Sequence, residues 1–232
     1  MSRPSTITID GLAGSGKSTI GALLAQALDY LYFDTGVMYR AVTWAVLSRG
    51  LDPADGPAVS ALAESLRIDV VAEGPADGRQ STVLADGQDV TWAIREPAVD
   101  AHVSRVSSYA GVRTVLTEQQ RRIAGQGAVV MAGRDIGTVV LPEADLKIFL
   151  TASTAERARR RYDQIVARGE PADLEAIHQA IIERDNQDQH NPVSPTRPAA
   201  DAVILDTTGL SIAQVLARLQ NLVTQAGWPE SG

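Results

Sequence analysis

Gly11-Leu12-Ala13-Gly14-Ser15-Gly16-Lys17-Ser18 fits the pattern G-x-x-x-x-G-K-[ST] of a phosphate-binding loop. Its flanks agree with that reading. Thr6-Ile7-Thr8-Ile9-Asp10 alternates and is rich in β-branched residues, which predicts a buried strand. Beyond the loop, Ile20, Leu23, Leu24, Ala27 and Leu28 recur at helical spacing and are expected to face inward. A strand, a glycine loop and a helix make a phosphate cradle. Glycines let backbone N–H groups approach phosphate oxygens, and the helix N-terminus adds unpaired donors and partial positive charge. The whole stretch from Gly11 to Thr19 is expected to hold a nucleoside triphosphate. Lys17 reaches the β- and γ-phosphates, and the Ser18 hydroxyl ligates Mg²⁺. A dinucleotide fingerprint beginning at Gly14 fails, because Thr19 stands where that motif needs a small residue.

The chain has 232 residues, 44% of them hydrophobic, which suits one α/β domain with an insertion or two small domains. A net charge of −7 argues against an extended surface for nucleic acid. Only Lys17 and Lys147 are lysines, and the other 19 cations are arginines. Arginine's planar fork suits phosphate recognition, although a codon bias explains most of such a count. With no cysteine, disulfides, thiol catalysis and cysteine-based zinc sites are excluded. Met1-Ser2-Arg3-Pro4 leads directly into the first strand, so no signal peptide is expected, and no apolar run approaches membrane-spanning length. A soluble cytoplasmic protein without a membrane partner is therefore expected.

Further along, Tyr30 to Asp34 reads as a strand, and a helix follows through Met38, Val42 and Val46 to a stop near Gly50. Asp52 to Pro57 carries breakers throughout and predicts a loop. Short strands are expected at 67–71, 81–85 and 88–90, with Asp86-Gly87 as a hairpin turn. Residues 99–122 read as helical with a break near Tyr109-Ala110-Gly111. Ala128 to Ala132 is a continuous apolar run, as in a central parallel strand, and Leu146 to Leu150 is another. Ser153 and Ser211 each open a capping-box pattern, and Asp173 is placed to cap a helix through Arg184. Ala202 to Leu205 is the last strand. Ile212, Val215, Leu216 and Leu219 are expected to face the core of the final helix, with Gly227-Trp228-Pro229 ending the order. Trp44 and Trp92 are assigned to packing. His102, His178 and His190 lack metal-ligand spacing. The alternation predicts an α/β fold: a parallel sheet flanked by helices, with a small antiparallel β insert and a helical lid. Ligands bind such sheets at the carboxyl ends of strands, so Gly11–Ser18, Asp34-Thr35-Gly36 and Gly133-Arg134-Asp135 are expected to converge.

A phosphate loop does not by itself name a reaction. A guanine-reading Asn-Lys-x-Asp is absent, since Leu146 precedes Lys147. The strand at 128–132 runs into Gly-Arg-Asp rather than the acidic end of a large ATPase's second motif. A small phosphotransferase needs cations for the migrating phosphoryl group and a second phosphate site. Arg40 and Arg134 follow strand ends near the loop. Arg157, Arg159, Arg160 and Arg161 begin a helix pair interrupted by Gly169-Glu170-Pro171, which reads as a lid or as a solvated helix face.

The motif order resembles the bacterial cytidylate kinase family nearly end to end. It comprises the phosphate loop, Asp34-Thr35-Gly36-x-x-Tyr39-Arg40, Gly133-Arg134-Asp135-Ile136-Gly137-Thr138-Val139-Val140, Lys147-Ile148-Phe149-Leu150, Glu183-Arg184-Asp185-x-x-Asp188 and Ala199-Ala200-Asp201-Ala202. The resemblance implies transfer of the ATP γ-phosphoryl group to CMP or dCMP, with Mg²⁺. It implies a kinase core over 1–60, 100–152 and 198–227, an acceptor-binding insert over 61–99 and a lid over 153–197. It implies that Lys17, Arg134 and Arg184 are catalytic and that Arg157 and Arg161 join the loop in binding ATP. Ser104, Arg113 and Asp135 match cytosine contacts. Arg40, Arg134 and Arg184 match acceptor-phosphate contacts, and Tyr39 and Asp188 lie near the sugar. Thr35 stands where relatives carry serine in the CMP site. Asn191 departs from the family's usual arginine, with Arg197 a candidate substitute in the Pro192-x-x-Pro195-x-x-Pro198 loop. Asp34 is left between ordering the Mg²⁺ shell and capping its own turn. The acceptor chemistry agrees, because a carboxylate at 135 accepts from cytosine's amino group and repels uracil's oxygen. A monomer is expected. Another small-substrate kinase, or a nucleotide-binding regulator that transfers nothing, stands as the alternative.

Overall fold

The computed structural model describes residues 3–72, 74–190 and 195–225. The chain divides into two compact units, Met1–Asp29 with Val130–Gly232, and Tyr30–Val129. The first unit carries a sheet in which β6 (Val129–Gly133), β1 (Thr6–Gly11), β7 (Leu146–Thr151) and β8 (Val203–Asp206) are neighbours in that order, and the second carries a small antiparallel sheet of three strands.

In the first unit, β1 (Thr6–Gly11) leads through the glycine loop into α1 (Lys17–Leu28). From Ile7 to Gly11 every residue of β1 is buried, as a strand covered on both faces requires. The strand β6 (Val129–Gly133) begins at the boundary and runs into a five-residue π-helical turn at Ile136–Val140. β7 (Leu146–Thr151) pairs parallel with β1, Ile7 opposite Leu146 through Gly11 opposite Leu150. It also pairs parallel with β8 (Val203–Asp206). Parallel pairing forces long crossovers, and here α6 (Thr154–Val166) and α7 (Leu174–Gln189) fill the one from β7 to β8. The closing helix is α8 (Ile212–Gln225). Gly227-Trp228-Pro229 lies outside the described residues.

Helix faces differ in detail from the sequence expectation. α1 buries Ile20, Gly21, Leu24, Ala25 and Leu28, whereas Ala27 is exposed and Leu23 only half-buried. The small Gly21 and Ala25 therefore complete the stripe that Leu23 and Ala27 were expected to fill. α8 buries Val215, Leu219 and Val223, while Ile212 is 54% exposed. At Ser211 the capping box is complete: Gln214 N–H donates to Ser211 Oγ at 3.2 Å, and Ser211 N–H donates to Gln214 Oε1 at 2.9 Å. At Ser153 only half of it forms. Glu156 N–H donates to Ser153 Oγ, but Ser153 N–H turns to Thr208 Oγ1, and the Glu156 carboxylate pairs with Arg159 and Arg160. Asp173 caps α7 through the N–H groups of Glu175 and Ala176.

The second unit holds β2 (Leu31–Asp34), α2 (Gly36–Ser48) and α3 (Gly56–Ser65). Gly56 and Pro57, expected in a loop, are the first residues of α3, because Asp55 caps the helix and proline's missing N–H costs nothing in a first turn. The antiparallel sheet is β3 (Ile68–Val71), β4 (Thr82–Ala85) and β5 (Gln88–Asp89). Asp86 and Gly87 both have positive φ, as a two-residue hairpin requires. Helices α4 (Pro97–Val106) and α5 (Ala110–Ala124) follow, the break falling at residues 107–109. From α5, the Gln119 amide accepts from Ile68 N–H and donates to Leu66 C=O, satisfying backbone groups beside the edge of β3. Trp92 is not a buried packing residue. It is 48% exposed, donates its indole N–H to Asp77 and lies under the Arg95 guanidinium at 5.6 Å.

Candidate functional site

Three glycines shape the phosphate loop with positive φ: Gly11 at +149°, Gly14 at +76° and Gly16 at +95°. Gly16 is the N-cap of α1. The Lys17 ammonium donates to the carbonyls of Gly11 at 2.7 Å and Leu12 at 2.8 Å, spanning the loop from within. Above the loop opens a cavity of about 690 Å³ floored by residues 13–20. Its lining adds the cations Arg160 and Arg161, the carboxylate of Asp163, and the apolar side chains of Ile181, Leu210, Ile212 and Val215. Ile212 is thus exposed because it stands at the rim of this cavity. N–H donors at the head of α1, two arginines and four apolar side chains around one cavity suit a nucleotide.

The arginine cluster divides its labour differently from the sequence reading. Arg157 is 2% exposed, and its guanidinium is committed to the carbonyls of Ala152 and Ala13 and to Asp185. It stands against the phosphate loop at Ala13 and is not among the residues that line the cavity. Arg160, expected in the arginine cluster but not among the ATP ligands, lines the cavity and donates to Thr207 Oγ1 and Thr207 C=O. Helical spacing held the signal, since 157, 160 and 161 share one side of α6.

Asp10 was also missed. This carboxylate lies one residue before the end of β1 and is buried, with one oxygen accepting from Ile136 N–H at 2.9 Å and the other from Gly137 N–H at 2.7 Å. It joins the phosphate-loop strand to the Gly-Arg-Asp turn, so these two segments meet as expected. Burial pushes its pKa up from the ordinary carboxylate range to about 6, against the two N–H donors; the Asp135 charge adds to the rise and Lys17 opposes it. The folded state thus holds this proton more tightly than the unfolded chain does. Its contribution to stability is fullest below about pH 4 and is lost as pH rises through 6. The linked loss is on the order of 3 kcal/mol. We predict that the difference in unfolding free energy between wild type and Asp10→Asn changes by this order between pH 4 and pH 7.5. A pH-independent difference would remove Asp10 as the source.

The acceptor-side candidates fall in both units. In the first, Asp188 is buried near the end of α7, pairs with Arg134 and accepts from Arg184 Nε at 3.1 Å. One carboxylate therefore aims two of the three expected acceptor-phosphate cations, besides its expected place near the sugar. Asp135 is buried at the head of the π-helical turn, and its carbonyl accepts from Val139 and Val140 N–H. In the second unit, Thr35 is buried at the N-terminus of α2, and Tyr39 and Arg40 follow one turn on. Arg113 from α5 stacks over the Tyr39 ring at 5.5 Å. Arg40 donates to Ile94 C=O and pairs with Asp100 at 2.6 Å, and exposed Ser104 lies one turn beyond Asp100 on α4. Asp34 accepts from Gly36 N–H at 3.0 Å, the turn-capping arrangement. Asn191 and Pro192 lie outside the described residues, and Arg197 is exposed. Two motif residues serve the fold: buried Lys147 donates to Asp201 at 2.7 Å and to the Pro142 carbonyl.

The profile of the family described as cytidylate kinase matches residues 7–225. A cytidylate kinase of Roseiflexus castenholzii is 55% identical over 218 residues, covering 94% of this chain and 92% of its own. One of Chloroflexus aggregans is also 55% identical, covering 94% and 93%. Among solved structures, an uncharacterised protein from Eubacterium ventriosum superposes with a TM-score of 0.54 at 9% identity, covering 95% of this chain and 99% of that one, a likeness of fold alone. A profile matched across both units, with relatives identical at more than half of the aligned positions, places the chain in the cytidylate kinase family.

Proposed function

We propose that the protein transfers the γ-phosphoryl group of ATP to CMP and dCMP, with UMP a much poorer acceptor. The carrying observation is the phosphate-loop cavity, which Arg160 and Arg161 and the apolar Ile181 and Ile212 help to line. In this reading the loop N–H groups and Ser18 hold the donor phosphates, and the apolar side chains receive the donor base. The acceptor is already an anionic phosphate oxygen, so no general base is required; alignment and charge neutralisation suffice. Arg134 and Arg184, oriented by Asp188, hold the acceptor phosphate together with Arg40. Ser104, Arg113 and Asp135 read cytosine, and Thr35 and Tyr39 complete the acceptor site. The insert at 61–99 and the lid at 153–197 exclude water during transfer. The same reading has a monomer working in the cytoplasm, where nucleoside triphosphates are available.

The residues present fit a magnesium ion. Among the described residues no cluster of three His, Cys, Asp or Glu forms a protein cage. Mg²⁺ is commonly held by one or two protein oxygens, phosphate oxygens and water, and Ser18 on the cavity floor supplies a hydroxyl. Bound there, Mg²⁺ neutralises charge on the β- and γ-phosphates.

A coupled assay across CMP, dCMP, UMP, AMP and dTMP tests the proposal. CMP and dCMP are expected to be turned over best. Preference for another base would overturn the acceptor assignment, and ATP binding without any transfer would favour a regulator. Asp135→Asn is expected to narrow the CMP/UMP ratio of kcat/KM, mainly by loss of CMP activity, because an amide donates to uracil O4 where a carboxylate repels it. An unchanged ratio would confine Asp135 to shaping its turn.

A further inference from the structure

We propose that Arg157 and Asp185 are a positioning pair that holds the phosphate loop in register with the helix aiming the acceptor-side arginines. The inference deepens the kinase reading above and rests on it. Arg157 is one of the largest side chains buried in the protein. Its Nε donates to Ala152 C=O at 3.0 Å, and its two terminal nitrogens grip the Asp185 carboxylate as a fork, one of them at 2.9 Å. The same terminal nitrogen that donates to Asp185 Oδ1 also donates to Ala13 C=O at 3.0 Å. Four of the five guanidinium N–H groups are thereby used. The fit against the loop is close, because a Cβ on Gly14 would stand 3.3 Å from the Arg157 Cβ.

The line continues on the other side. Asp185 belongs to α7, and Asp188 lies three residues on, close to the same helical face. Asp188 holds Arg134 and Arg184. A continuous path therefore runs from the Ala13 carbonyl through the Arg157–Asp185 ion pair and one turn of α7 to Asp188 and its two arginines. A buried ion pair is a poor way to add stability, since apolar residues of similar volume commonly do as well. An apolar pair, however, has no donor for Ala13 C=O. Orientation of the loop is the property that only the charged pair supplies, and phosphoryl transfer depends on orientation.

Three variants separate positioning from stability. R157M leaves the Asp185 carboxylate buried beside an apolar side chain and is expected to lower the unfolding midpoint markedly. R157M/D185L removes both charges and is expected to recover most of that midpoint. It is not expected to recover activity: kcat stays at least tenfold below wild type, MgATP binds about tenfold more weakly by calorimetry, and the CMP KM moves by less than about threefold. Activity returning together with stability would overturn the proposal. Should the double variant not fold, R157K decides. A single ammonium is one point with three donors, so it cannot keep the two-pronged grip on Asp185 while also reaching the carbonyls of Ala152 and Ala13, and kcat is expected to fall about tenfold at an unchanged CMP KM. Wild-type kcat in R157K would overturn the pair's role. MgATP affinity needs no acceptor, so if wild type transfers to no nucleotide the function reading fails while the affinities still judge the pair.

Discussion

Lys17→Ala is expected to lower kcat by two orders of magnitude or more. The Lys17 ammonium sits at the floor of the cavity, tethered to the carbonyls of Gly11 and Leu12. Those carbonyls are neutral acceptors that a migrating phosphoryl oxygen, carrying growing negative charge, outcompetes. The lysine's interaction therefore strengthens on the way to the transition state, and this differential is what lowers a barrier. Removing it is a kcat effect first and a KM effect second. The fold is expected to lose little, about 1 kcal/mol, because the tethered loop is half-exposed and water replaces the ammonium at its carbonyls. Steady-state kinetics beside thermal unfolding check both halves. Near wild-type kcat would exclude Lys17 from the reacting phosphoryl group. A collapse in the unfolding midpoint would instead make it a structural brace.

Gly11→Ala is expected to be the most damaging single methyl group in the loop. Gly11 closes β1 directly opposite Leu150 of β7. A Cβ there would stand 2.2 Å from the Leu150 carbonyl oxygen and 3.1 Å from its carbon, at a φ of +149° that L residues rarely adopt. The obstacle is backbone of a central strand, so relief requires parting β1 from β7. A loss of about 3 kcal/mol or more is expected, a large fraction of a domain's stability. Gly16→Ala provides the internal comparison. Its Cβ would meet nothing closer than 3.9 Å, so it bears only the strain of a φ of +95°. About 1–2 kcal/mol is expected there. Denaturant unfolding of both variants checks the order. A smaller loss at Gly11 than at Gly16 would show that β1 and β7 yield more readily than close packing allows.

What could be read from the chain by itself was whatever rests on neighbours in sequence. The glycine loop, its strand and its helix follow from side-chain period and glycine's conformational range. Asp86-Gly87 makes its turn because both residues tolerate positive φ, and Ser211 and Gln214 cap a helix because they are three residues apart. The motif order carried the family. Contacts between residues far apart in sequence were decided only by the tertiary structure. Asp10 looks like one more strand end until folding brings Ile136 and Gly137 N–H against it, 126 and 127 residues later. Arg157 and Arg160 are alike in sequence. The packing of α6 on α7 sets one against Asp185 in the interior and leaves the other on the cavity wall. Ile212 follows the period of a core residue and stands 54% exposed at the cavity rim, because it opens α8 beside the phosphate loop. The physical reason is common to all three. Local propensity specifies which elements form, while the partners of a buried charge or an apolar face depend on which elements pack together, and no short window of sequence contains that information.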